Sequence, residues 1–442
     1  MPDQVDERRA KGGVQPADAP GIFAALRYRN FRVIWLSAIV SNAGRFFQAV
    51  AVPLVLYELT DSAGWVGLAG FAQLLPTALL GPLAGAIADR YQRRNILIVT
   101  QALQAVASVL FVVMWFGGVR SPTAYVLASI VAGAAAGLNL PAWQAFVSEL
   151  VPRHTLMSAI TLNSAQFNLA RLLGPLGAGV VIRYWGPGWA FLVNALSFAT
   201  IIAALVMVTV PHAERDRSQR MRPWREFVAA FRFSRTRPGI ITAIGTVTFV
   251  GFFGLASQTM SVALAEEVFE VEAGFAQMLF AAGLGAVIAS PGVAWLAKHK
   301  RRSVIQQWAL LLYGLGIVLA GAAPTFLVAQ SGLFLMGVAH IASASTLNTS
   351  IQLQVDEAVR AKVLSVYLTT LLIANPLGQL ALGQSIVHVG ARETFIVSGL
   401  ALVLVAVVMT ATGRLIGLDD EVGDYEPSSM AEVHPTTPAP PR

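Results

Sequence analysis

Twelve long apolar stretches, parted by short polar gaps, take up most of this 442-residue chain. A helix needs about 20 apolar residues to cross the hydrocarbon core of a bilayer. No water is there to satisfy exposed backbone groups, so such stretches must be helical. They fall at 31–57, 65–88, 96–117, 122–147, 159–183, 187–210, 239–264, 273–297, 304–323, 326–352, 363–388 and 393–416. The expectation is an all-α integral membrane protein of twelve transmembrane helices. Hydrophobic residues make up 55% of the chain and charged residues only 12%. A soluble domain carries roughly twice that charged share.

The charges sit where topology puts them. Of the 31 lysines and arginines, Arg120, Arg183 and Arg392 fall on the side away from the N-terminus, and Arg45 and Arg171 fall inside spans. All the others lie on the N-terminal side. By the positive-inside rule both termini are expected in the cytoplasm of a plasma (inner) membrane protein. The net charge of +7 therefore reads as arginine-rich cytoplasmic loops, with no nucleic-acid partner expected. Met1 to Gly21 is polar and has no signal-peptide pattern, so the first span is expected to act as an uncleaved insertion signal. There is no cysteine, which removes disulfide and thiol chemistry. No Walker loop, HExxH or paired-carboxylate arrangement occurs. Neither an enzyme activity nor a cofactor or metal is expected.

Residues 212–238 form the one long polar interruption, with eight arginines from Arg215 to Arg237. Trp224, Phe227, Val228 and Phe231 stand at helical spacing, which predicts an amphipathic helix on the inner membrane face, held by anionic lipid. This gives a 22–211 bundle, a 212–238 linker and a 239–416 bundle. Disordered tails are expected at 1–21 and 417–442. The halves look like copies. Ala63-Gly64-Trp65 opens the second span and Ala273-Gly274-Phe275 the eighth, while Gly174-Pro175-Leu176-Gly177 in the fifth matches Asn375-Pro376-Leu377-Gly378 in the eleventh. Repeats of this kind suggest two pseudo-symmetric six-helix bundles that rock about a midplane site.

The loop after the second span reads Gly81-Pro82-Leu83-Ala84-Gly85-Ala86-Ile87-Ala88-Asp89-Arg90-Tyr91-Gln92-Arg93-Arg94. It closely resembles motif A of the major facilitator superfamily, with Gln92 in place of a glycine. The resemblance implies a gating latch between the halves, built on Gly85, Asp89, Arg90, Arg93 and Arg94. Glu149 is the candidate acid for these arginines. The segment from Ala170 to Gly179 resembles motif C of the drug-proton antiporters, carried by Gly174, Pro175 and Gly179, with alanines replacing two glycines. That resemblance implies export. At the position where such antiporters carry a buried helix-4 arginine this chain has Ser129, so the usual proton relay is not evident. The overall layout is similar to the efflux branch that includes enterobactin exporters, to which Asn163–Arg171 and Ala361–Ser365 contribute.

Arg45 lies about 21 Å along its span from Phe31, and Arg171 about 18 Å along its span from Ala159. A charge at such depth costs at least about 2.5–3.5 kcal/mol, so it faces a cavity or a partner. No Asp or Glu lies clearly at mid-depth. One reading is a cavity for an acidic or catechol-like molecule. The other is that each arginine ties down carbonyls around Gly44 or Pro175, or reaches Glu58 or another polar side chain. Family analogy puts helices 1, 4, 7 and 10 on the cavity, which selects Gln48, Asn139, Gln258 and His340, and Gln166 joins them as a polar residue at depth. The function expected is secondary active export of a small amphiphilic molecule, a siderophore, secondary metabolite or drug, by a monomer that uses protons as coupling ion. The alternative is an uptake facilitator or symporter for a small nutrient.

Overall fold

The computed structural model describes residues 21–208 and 223–421, and among them it holds helices and turns but no strand. The first half comprises α1 (Arg29–Thr60), α2 (Ala63–Arg90), α3 (Arg93–Phe116), α4 (Pro122–Glu149), α5 (Leu156–Trp185) and α6 (Pro187–Met207). The linker contributes α7 (Pro223–Arg235). The seventh span is composite: α8 (Pro238–Phe249) and α9 (Ala256–Ala263) are joined by a π turn at Val250–Leu255, and a second π turn, Leu264–Val268, ends it. Then come α10 (Gly274–His299), α11 (Arg302–Ala322), α12 (Phe326–Gln354), α13 (Glu357–Val389) and α14 (Ala391–Ala411). Among the described residues, twelve helical segments are long and apolar enough to cross a membrane.

Helix pairing repeats between the halves. In the first, α2 and α3 pack on α4, α3 on α6, and α1 on α5 and α6. In the second, α10 and α11 pack on α12, α11 on α14, and the seventh span on α13 and α14. The halves meet through α2 with α13 and α5 with α10, which exchange under the same twofold relation. These are the two pseudo-symmetric six-helix bundles of the major facilitator fold.

Small residues set these contacts. Lipid tails are as apolar as the helices, so packing needs close backbone approach rather than a hydrophobic drive. A Cβ on Gly133 of α4 would run into the backbone carbonyl of Gln73 on α2, and one on Gly337 of α12 would run into that of Ala282 on α10. The motif repeat behaves alike: a Cβ on Gly177 would stand 3.0 Å from the Phe47 ring of α1, and one on Gly378 would strike the carbonyl of Phe252 in the seventh span. A single glycine with positive φ turns the chain between the last two helices of each half, Gly186 at 87° and Gly390 at 96°.

Four expectations differ from what is found. Several helices overrun the apolar stretches: α13 starts at Glu357 rather than at 363, because hydropathy marks the hydrocarbon layer while the helix continues into polar residues. The seventh span likewise runs on to Val268, so Glu266 and Glu267, expected in a loop, sit in its final turn. The linker helix does not rest on lipid alone. It packs on α8 and α13 and touches α2, with Ala230, Phe233 and Ser234 buried. Only Thr236 and Arg237 separate α7 from α8, and Arg237 is 2% exposed with its guanidinium over the Phe233 ring at 5.6 Å. The side chain of Trp224 and the segment 209–222 lie outside the described residues.

The C-terminal tail does not begin at 417. A 3-10 turn at Arg414–Asp419 buries Leu415 and Leu418 and straps the ends of three helices. Ser350 Oγ donates to the Leu418 carbonyl at 2.7 Å and Gln354 Nε2 to that of Gly417 at 3.1 Å. The backbone N–H of Ser303 donates to Asp419 Oδ1 at 3.0 Å. The remaining tail residues, 1–20 and 422–442, lie outside the described residues.

On the face away from the termini the bundles are closed on each other. Tyr57 Oη donates to Glu267 Oε2 at 3.0 Å, and Arg183 pairs with Glu272 at 3.5 Å. Gly67 of α2 packs on the backbone of α13 at Gln379, and Gly383 of α13 on that of α2 at Ala63. A Cβ on Gly179 would lie 2.8 Å from that of Ala276 on α10. On the terminal face Gly81 and Gly85 would each accept a Cβ with nothing within 4 Å. The bundles are thus closed on each other at the far face, and α2 stands open at Gly81 and Gly85 on the terminal face.

Candidate functional site

A cleft enters the first bundle in two lobes that share six wall residues. The larger encloses about 510 Å³ and the smaller about 230 Å³, and both are lined by Asn42, Arg45, Gln73, Gln104, Ala136 and Phe167. The smaller adds Phe46, Gln48, Asn194 and Phe198. The larger adds Asn139, Trp143, Asn163 and Gln166 among others, and Leu372 of α13 is the one lining residue from the second bundle. Volumes of this order suit a small organic molecule.

Among the described residues the walls carry one ionisable side chain: Arg45 lines both lobes, and no Asp, Glu, Lys or His lines either. Its guanidinium Nη1 donates to Asn42 Oδ1 at 3.3 Å, three residues back on the same face of α1. From Asn42 the bonds continue. Asn42 Nδ2 donates to Gln166 Oε1 at 3.1 Å, and Gln166 Nε2 to Asn163 Oδ1 at 3.4 Å. Trp143 Nε1 donates to the same Asn163 oxygen at 3.1 Å. The chain crosses from α1 through α5 to α4.

A second set of bonds fixes the smaller lobe. Asn194 Nδ2 donates to Gln48 Oε1 at 2.7 Å and to Ser108 Oγ at 3.1 Å, joining α6 to α1 and α3. Gly44 makes this possible, since a Cβ there would overlap the Ser197 hydroxyl. Asn139 Nδ2 is engaged by Thr100 Oγ1 at 2.9 Å, so this residue both lines the cleft and braces α3 against α4.

The structure thus gathers Arg45, Gln48, Asn139 and Gln166 and leaves Arg171, Gln258 and His340 elsewhere. Arg171 is five residues beyond Gln166, about 140° around the helix. It stands at the α5–α10 seam, where a Cβ on Gly283 would lie 3.5 Å from its carbonyl oxygen. His340 presents its ring edge-on to Tyr313 with centroids 6.2 Å apart, and its Nδ1 is buried with no hydrogen-bond partner. Gln258 accepts from the Ser261 hydroxyl through its backbone carbonyl. The seventh span and α12, the tenth span, line neither lobe, whose walls come from the first bundle apart from Leu372.

The motif A arginines work within that bundle. Arg93 Nη1 donates to Glu149 Oε1 at 2.7 Å and to the Ala145 carbonyl at 3.2 Å, tying α3 to α4. Arg94 donates to the last carbonyls of α6, Leu205 at 2.6 Å and Val206 at 2.7 Å. Arg90 is exposed, and the side chain of Asp89 lies outside the described residues. Gly174 packs on Phe46, Pro175 is buried, and Gly179 meets α10, so the motif C face serves both α1 and the opposite bundle. Ser129 is buried, its hydroxyl donating to the Tyr125 carbonyl at 2.9 Å.

Sequence reasoning missed Asn42, Gln73, Gln104 and Asn194. Asn42 carried a usable signal, being one helical turn from Arg45. Asn194 carried none, because nothing local shows that α6 reaches the cleft.

The family model described as transmembrane secretion effector matches residues 20–432. The enterobactin exporter EntS of Citrobacter koseri is 25% identical over 391 residues, covering 86% of this chain and 90% of the relative. That of Shigella boydii serotype 18 is 26% identical over 394 residues with the same coverage. Among solved structures, a bacterial homologue of the human lysosomal transporter Spinster, inward-facing and unoccupied, superposes with a TM-score of 0.68 at 16% identity, covering 90% of this chain and 99% of that one.

Proposed function

Because this chain belongs to the transmembrane secretion effector family, and is a multi-pass secondary transporter of the major facilitator type, we propose that it exports a small amphiphilic anion by alternating access. The cleft carries this reading: among the described residues Arg45 is its sole ionisable wall residue, set among amides and aromatic rings with no carboxylate on the wall to neutralise it. A carboxylate or catecholate head would supply the missing partner, and Phe167 and Trp143 would flank an apolar body. The relatives named as enterobactin exporters support the outward direction. With both termini in the cytoplasm, as the arginine-rich loops support, the terminal face, where α2 stands open at Gly81 and Gly85, is the loading side.

The latch role of the motif A residues, the export role of the motif C face and the use of protons as counter-ion remain part of this proposal, as does a monomeric state. The parting of Gly81 and Gly85 from any neighbour supports a latch that engages when the terminal side closes. Inside-out vesicles with an imposed acid-inside gradient test the scheme. Gradient-dependent accumulation of an aromatic monoanion such as salicylate supports export by proton antiport. Uptake driven in the opposite sense by the same gradient would replace it with nutrient import.

A further inference from the structure

The cleft is built almost entirely by one bundle, and its only cation among the described residues is held at the end of a hydrogen-bonded row of amides. Donor and acceptor roles along that row are fixed by its two ends. A guanidinium and an indole N–H can only donate. Arg45 therefore forces Asn42 to present its oxygen toward α1 and its NH2 toward Gln166. Trp143 shares the oxygen of Asn163 with Gln166, which ends the row. Gln166 is 2% exposed, so its amide cannot turn to water instead. No amide in the row can flip without breaking a neighbouring bond.

Resting on the reading of the cleft as the cargo site, we infer that Asn42 is the positioning residue for Arg45, and that the Asn42–Gln166–Asn163–Trp143 relay ties anion recognition to α4 and α5 within the first bundle. Arg45 spends one of its five donors on Asn42 and has no ion-pair partner among the described residues. The remaining donors are free for the anion. The second bundle offers the cleft only Leu372, an apolar wall. Charge selectivity is accordingly a property of the first bundle. An anion that draws the guanidinium away from Asn42 also loosens the row, and Trp143 at its far end senses the change.

Binding of salicylate and of its neutral amide, salicylamide, to the full-length protein in lipid nanodiscs tests this. The change in indole emission that Trp143→Phe removes is the second readout. Asn42→Ala is expected to weaken salicylate by about tenfold, the loss of one hydrogen bond to a charged group, while sparing salicylamide. It should also abolish the Trp143 response to salicylate. The double variant Asn42→Ala with Arg45→Gln should bind salicylate no more weakly than Arg45→Gln alone. Asn42→Asp keeps an oxygen for Arg45 but cancels its charge, so it should lose salicylate and keep salicylamide even if the alanine variant folds poorly. Unchanged salicylate binding in Asn42→Ala or Asn42→Asp, with Arg45→Gln impaired, overturns the positioning role alone. Unchanged binding in Arg45→Gln overturns the cargo-site reading beneath it.

Discussion

Arg93 and Glu149 form a 2.7 Å ion pair that joins the start of α3 to the end of α4. Both belong to the first bundle, so this contact holds that bundle together rather than spanning the two. The pair is about one-fifth exposed on each side. Glu149→Gln is therefore expected to cost about 1 kcal/mol, near the upper range for exposed pairs. Thermal unfolding in detergent should show a small fall in midpoint.

Asp419 accepts the backbone N–H of Ser303 and so caps the N-terminus of α11 from more than a hundred residues away in sequence. The Ser303 hydroxyl donates to Asp419 Oδ2 and adds to the cap. Asp419→Ala should destabilise the protein by about 1–2 kcal/mol, the usual cost of losing an N-cap. Amide exchange should quicken in the first turn of α11 and in Arg414–Asp419, and stay unchanged in α4 and α5.

The twelve spans, the two halves and the positions of the basic loops were legible because each rests on a one-dimensional pattern of length, apolarity or repeat. Arg45 was legible for the same reason: a charge in the middle of an apolar run must face something polar. Arg171 had the same signature yet stands at the seam with the second bundle and lines neither lobe, because depth along a helix does not fix its azimuth. Asn194 was unreadable because its role depends on Gly44 letting α6 approach α1. The folding of 417–421 was missed because Leu415 and Leu418 are buried by three helices remote in sequence. Polar composition alone suggested a tail there.

Gly133 packs on the backbone of Gln73, where a methyl group has no flexible neighbour to displace. Gly133→Ala should push α4 from α2 and cost about 1–3 kcal/mol, as overpacking does in a tight interface. The cleft lies beside this contact, with Gln73 and Ala132 on its wall. The variant should therefore lose salicylate affinity along with stability, measured by binding and thermal unfolding on the same sample. A variant at Gly85, where a Cβ meets nothing in this state, should leave stability within about 0.5 kcal/mol.

Ser129 occupies the helix-4 position at which related antiporters carry an arginine, and here it is buried and satisfied by its own helix. Ser129→Arg is expected to impair folding by at least about 2.5 kcal/mol, since the new charge has no built partner. Expression and monodispersity should fall, with no gain in gradient-driven transport.

Arg45 is the group proposed to select the cargo's charge. The direct measurement is gradient-driven accumulation of salicylate and of a cationic aromatic amine of similar size in inside-out vesicles, by wild type, Arg45→Gln and Arg171→Gln at matched expression. The prediction is that wild type accumulates salicylate and excludes the amine, that Arg45→Gln loses this preference, and that Arg171→Gln keeps it. Salicylate accumulation by Arg45→Gln at the wild-type rate would contradict the account.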